Sequence, residues 1–128
     1  MRKSMTDPVN VVFLIAVMLV SSVAHAQSRW SDSEPLPSPR QEIYAITYNG
    51  MIYTAGGIAD GASAVRNEFN AFDPRKDLWL ELSDLPAPRH HITLSALDGV
   101  IYAVGGFSGG FPNWKPETSA YAYDLEGG

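Results

Sequence analysis

The sequence predicts an all-β fold, built from four-stranded antiparallel units that recur at a spacing of 49 residues. Three observations carry this. Shifting the chain by 49 residues superposes Trp30 on Trp79, Leu36-Pro37 on Leu85-Pro86, Pro39-Arg40 on Pro88-Arg89, Ile43 on Ile92, Gly50 on Gly99, Ile52-Tyr53 on Ile101-Tyr102 and Gly56-Gly57 on Gly105-Gly106, which makes 11 identities over 28 positions. Asn49-Gly50 and Asp98-Gly99, the two dipeptides that best suit a two-residue hairpin, then fall at equivalent places between apolar runs. After residue 26 no stretch sustains the 3.6-residue apolar period of a helix.

The elements follow in order. Residues 43–48 are β-branched and aromatic, and across Asn49-Gly50 they meet a return strand at 51–55. A third strand runs from about 68 to 73, where Pro74 stops it, and a fourth from about 78 to 82, ahead of Leu85-Pro86-Ala87-Pro88. The second copy repeats the hairpin at 92–97 and 100–104. Beyond its paired glycines the register slips by two, so that Phe72-Asp73 falls on Tyr123-Asp124 and the second copy carries the longer loop. Residues 43–82 thus make a complete unit, 92–125 three strands of another, and 28–33 a lone outer strand.

The compartment is set by the N-terminus. Arg2 and Lys3, an apolar run from Val9 to Val20 and the small-x-small triplet Ala24-His25-Ala26 form a signal peptide over 1–26, leaving Gln27 first in a mature chain of 128 − 26 = 102 residues, 27–128. The apolar run is shorter than the roughly 20 residues that span a bilayer, so a secreted or periplasmic product without a membrane span is expected. Losing Arg2, Lys3 and Asp7 leaves 7 basic and 13 acidic residues, a charge of −6, which disfavours nucleic acid as a partner. Cysteine is absent, so stability is expected from packing rather than from disulfides or a thiolate metal site.

The paired glycines, the spaced aromatic and the tryptophan resemble the kelch repeat, a motif of about 50 residues. Gly56, Gly57, Phe72 and Trp79 fill the pattern in the first copy, with Phe72 standing where the family has Tyr; Gly105, Gly106 and Tyr123 fill it in the second. The resemblance covers Trp30 to Asp124 and implies kelch-type β-propeller blades, radial four-stranded sheets of which about two are present. It implies that Trp79, Tyr53 and Tyr102 pack between blades, and that Arg40 and Arg89, each after a Pro where the chain leads into a blade, are structural. A ring needs roughly 4 to 8 blades. The expectation is therefore an N-terminal fragment of a longer protein, with further blades in cis, or else a homo-oligomer, needed to close the ring.

The resemblance also places ligands on the face formed by the loops between second and third strands and between blades, about 58–67, 107–119 and the Pro-rich segments before Arg40 and Arg89. The candidate binding residues are Phe107, Phe111, Asn113, Trp114 and Lys115, with His90, Arg89 and Arg40 beside them. Exposed aromatics in so Gly- and Pro-rich a loop suit stacking on a sugar or gripping a peptide; the other reading is that Trp114 folds back over the neighbouring blade. His90 and His91, adjacent on a strand, are expected on opposite faces, which argues against metal chelation. Neither a nucleophile-base pair nor a metal cluster is legible, and no cofactor is expected. A module binding a protein or glycan ligand is the leading reading. The alternative is a carbohydrate-active enzyme similar to sialic-acid mutarotases, with its catalytic groups in other blades; a galactose-oxidase-like copper centre needs a Cys that this chain lacks.

Overall fold

The structure is a computed structural model in which residues 29–127 are described. The signal peptide expected over 1–26 lies outside them. The chain divides into two units, Met1–Asp32 and Ser33–Gly128. Residues 29–32, the described part of the first, carry no strand, and Trp30 is exposed.

The second unit holds two sheets with the repeat's strand order. In the first, β1 (Tyr44–Tyr48), β2 (Met51–Ala55), β5 (Phe69–Asp73) and β6 (Leu78–Glu81) are neighbours in that order, all antiparallel. The second sheet is β7 (Thr93–Leu97), β8 (Val100–Val104) and β11 (Ala120–Asp124), in the order β11-β8-β7. Both hairpins turn in two residues, with Tyr48 opposite Met51 and Leu97 opposite Val100. A type I′ turn needs positive φ at both central residues, and Asn49 (47°), Gly50 (75°), Asp98 (48°) and Gly99 (81°) supply it.

The turn after the third strand is also repeated. Asp73 accepts a hydrogen bond from the Arg75 N–H (3.0 Å), and Asp124 accepts one from the Glu126 N–H (2.9 Å), so each carboxylate caps the turn that follows it. The Arg75 N–H, reinforced by the Arg75 and Lys76 charges, holds the Asp73 carboxyl below the usual carboxylate range.

Strand alternation puts one face of each sheet into a shared core. Tyr53, Ala55, Phe69 and Ala71 of the first blade are buried in one cluster with Ile92, Leu94, Ile101 and Ala103 of the second. Phe69 is central, stacked on Tyr53 (6.1 Å between centroids) and edge-on to Tyr123 (5.0 Å). Tyr53 thus packs between the two blades, and Tyr102 lies on the face of the second blade turned away from the first. On β8 it is the neighbours Ile101 and Ala103 that turn inward, which leaves Tyr102 on the outward face with Val104, 38% and 47% exposed. Trp79 is half-buried on the other face of the first blade, against Phe72 (5.0 Å).

Residues 29–33, the described part of the expected outer strand, carry no strand. Ser33 and Glu34 instead donate to the Asp77 carboxylate, and the Trp79 indole donates to the Glu34 carbonyl (2.9 Å). The Ser33 hydroxyl and then the Glu34 N–H hold Asp77 below its ordinary range.

Two short hairpins, not legible as strands in the sequence, occupy the loops after the glycine pairs: β3 (Ile58–Ala59) with β4 (Ala64–Val65), and β9 (Phe107–Ser108) with β10 (Lys115–Pro116). The segments leading into the blades pair with them, Gln41 with Ile58 and His90 with Phe107. The segment leading into the second blade is also bound to the first, through Gly57 N–H to Arg89 O (2.8 Å) and Arg89 N–H to Arg66 O (3.0 Å).

This close approach explains the glycine at 56. Its φ is +62°, and a Cβ there would collide with the Arg89 carbonyl oxygen, whereas a Cβ at the equivalent Gly105 (φ +67°) would meet nothing nearer than the Glu117 oxygen at 3.5 Å. Both substitutions carry the left-handed penalty, but only the first adds a backbone clash. Gly56→Ala is expected to cost about 2–4 kcal/mol and Gly105→Ala about 1–2 kcal/mol, read from urea unfolding midpoints.

Candidate functional site

The hairpins and lead-in segments lie at one end of the blades, opposite the Asn49-Gly50 and Asp98-Gly99 turns. Several of the expected binding residues lie inside this end rather than on it. The Arg40 side chain is fully buried: Nη1 donates to the carbonyls of Gly56 (3.0 Å) and Glu68 (3.2 Å), and Nη2 to Asn70 Oδ1 (2.6 Å). Arg89 repeats the arrangement one blade on, donating to Pro88 O (2.7 Å), Ser119 Oγ (3.1 Å) and Tyr121 Oη (3.3 Å), with Glu117 at 3.4 Å. These guanidinium groups tie each lead-in segment to the start of its blade's third strand. Their donors are turned inward, which corrects their place among binding candidates.

His90 is also fully buried, and it is not on the opposite face from His91. The expected alternation holds only for extended backbone, and His91 has a φ of +54°. That reversal brings the two Nδ1 atoms to 2.7 Å. On the far side His91 Nε2 lies 2.9 Å from Glu42 Oε2, and His90 Nε2 lies 3.1 Å from the Gly109 carbonyl oxygen. Glu42 is the residue equivalent to His91 in the first blade and has the same φ, +54°; the His91 N–H donates to its carbonyl (3.1 Å). A continuous chain of polar contacts thus runs from Glu42 on one blade, through His91 and His90 on the next, to the long loop.

Burial chiefly, and the like charge of His91 secondarily, hold His90 below the usual histidine range, against the raising effects of the Gly109 hydrogen bond and the Glu42 carboxylate. Its neutral ring carries the proton on Nε2, since a carbonyl can only accept.

The long loop covers this chain with aromatic rings. Phe107 stacks on His90 (5.8 Å), and Trp114 lies edge-on to His90 (4.8 Å) and tilted against His91 (5.3 Å). Trp114 therefore folds onto the histidine pair yet stays 39% exposed, with Phe111 beside it (6.4 Å) 70% exposed. Asn113 and Lys115 are exposed as well. The loop backbone is held at Phe111 N–H to Ala62 O (2.8 Å) and Asn113 N–H to Gly110 O (2.8 Å). Among the described residues no cluster of three or more His, Cys, Asp or Glu is arranged to hold a metal ion.

A four-stranded and a three-stranded antiparallel sheet in the same strand order, a glycine pair after each second strand and a buried arginine at each lead-in define the class: these are blades of a β-propeller. Residues 88–128 match the family model of the Kelch motif, and the internal repeat carries the same residue pattern over the first blade. No match to the chain was found among curated proteins.

The site makes a pH-dependent contribution to stability. Folded His90 resists protonation that an unfolded histidine accepts, so the unfolded chain binds more protons once the pH falls past about 6.5, and stability drops. Urea midpoints are expected to decline from about pH 7 to about pH 5, with a shallower decline in His90→Phe. An unchanged slope in that variant would show that His90 does not carry the effect.

Proposed function

We propose that this chain is an exported kelch-type propeller module that binds a protein or carbohydrate partner through the end of the blades where the long loop lies, with Trp114 and Phe111 as the contact. One observation carries the reading: Phe111 and Trp114 are exposed on a loop whose backbone is hydrogen-bonded to the first blade and to itself. Large apolar rings held in water by an anchored loop give a preorganised surface, which lowers the entropic cost of association. Aromatic rings of this kind stack on sugar faces and fill pockets in protein partners. Export rests on the n-region, apolar run and Ala24-His25-Ala26.

Binding stands ahead of acid-base catalysis on a sugar because each imidazole nitrogen of the histidine pair faces a partner within the chain. A different surface is assigned to further blades, in cis or from another copy: the outward face of the second blade, with Leu97, Tyr102 and Val104, is the repeat equivalent of the Tyr48, Tyr53 and Ala55 face that the second blade covers on the first.

The exported protein, displayed against a glycan array and against extracellular protein, is expected to retain a partner that Trp114→Ala and Phe111→Ala each bind about tenfold more weakly, the usual loss for a contact that dominates an interface. Unchanged binding by both variants would remove the loop from the interface.

A further inference from the structure

We propose that Glu42, His91, His90 and the Gly109 carbonyl form a proton-dependent latch that holds the aromatic loop against the blades. Proton counting carries the argument. The chain of contacts has three links: Glu42 Oε2 to His91 Nε2 (2.9 Å), His91 Nδ1 to His90 Nδ1 (2.7 Å) and His90 Nε2 to Gly109 O (3.1 Å). Each link needs one hydrogen. The carbonyl accepts only, so His90 Nε2 donates and His90 Nδ1 is left as an acceptor, which makes His91 Nδ1 the donor of the middle link.

The link to ionised Glu42 then requires a second hydrogen on His91. Two neutral rings supply two hydrogens for three links, and one contact would set lone pair against lone pair. All three are satisfied when the chain holds one further proton, as an imidazolium at His91 between a carboxylate and a neutral imidazole. One proton fewer breaks a link, and one more, on His90, removes the acceptor of the middle link.

The last link is made by the loop itself, and Trp114 and Phe107 rest on both rings, so a change in the chain of links is felt where the aromatic contact is presented. The other charges near this end are spoken for or turned away. Asp60 pairs with Arg66 on the first hairpin, Glu117 with Arg89 on the second, and Lys115 is exposed. Glu42 and His91 are the charged groups acting on His90.

The consequence for partner binding rests on the reading above, but the latch is tested without a ligand. The test is nitrogen NMR of the histidine rings, together with the indole resonance of Trp114, in the unliganded chain from about pH 5 to about pH 9. In the wild type, loss of the second His91 proton is expected to move the Trp114 resonance with the same midpoint. Glu42→Gln supplies the decisive comparison, because the amide donates to a neutral His91 and satisfies every link with no additional proton. The alkaline movement of Trp114 is expected to be lost in that variant. Glu42 is exposed enough for the variant to fold, which its urea midpoint checks.

A Trp114 resonance that ignores His91 titration in the wild type, or that moves equally in Glu42→Gln, overturns the latch. Unchanged partner binding by Trp114→Ala and Phe111→Ala would instead sink the contact surface and leave the latch standing.

Discussion

The segment Pro88–His91 is bound on both sides by backbone hydrogen bonds, and the placement of everything at this end of the molecule depends on it. Arg89 exchanges bonds with Gly57 and Arg66 of the first blade, while His90 exchanges two with Phe107 of the second. A segment so held fixes one blade on the other at the inner end, as Phe69 between Tyr53 and Tyr123 does in the core. It also determines where His90 and His91 sit. Without Gly56 the Arg89 carbonyl could not come so close, and without the φ of +54° at His91 the two rings would part.

The fold was largely legible because its signals are local. Asn49-Gly50 and Asp98-Gly99 state the turn type directly, and apolar alternation on either side gives the strands their register. What local reading missed were β3, β4, β9 and β10, two residues each, which pair because the lead-in segments bring Gln41 and His90 alongside. Tyr102 lies on the far side of its own blade from the first. It matches Tyr53 by identity, but the face that Tyr53 buries against the second blade is, on the second blade itself, turned outward.

The site was less legible. The aromatic loop stood out by composition, whereas Arg40, Arg89 and His90 looked like loop residues because sequence does not show which way a side chain turns. Glu42 went unnoticed. Its signal was present in the repeat, since a shift of 49 residues sets Glu42 on His91, and equivalent positions on adjacent blades lie next to one another at the inner end. The juxtaposition itself depends on positive φ at two residues that are not glycine, a conformation uncommon enough outside glycine that the sequence does not announce it.

Hydrogen exchange at the amides of Gly57, Arg89, His90 and Phe107 tests the central claim most directly. If these bonds fix the second blade and its histidine pair on the first, the four amides exchange as slowly as those of the core strand residues Ile101 and Ala103, through the same global opening. Exchange at the rate of an open loop, with Ile101 and Ala103 still protected, would mean that the blades hold together without this segment and that the site is not fixed by it.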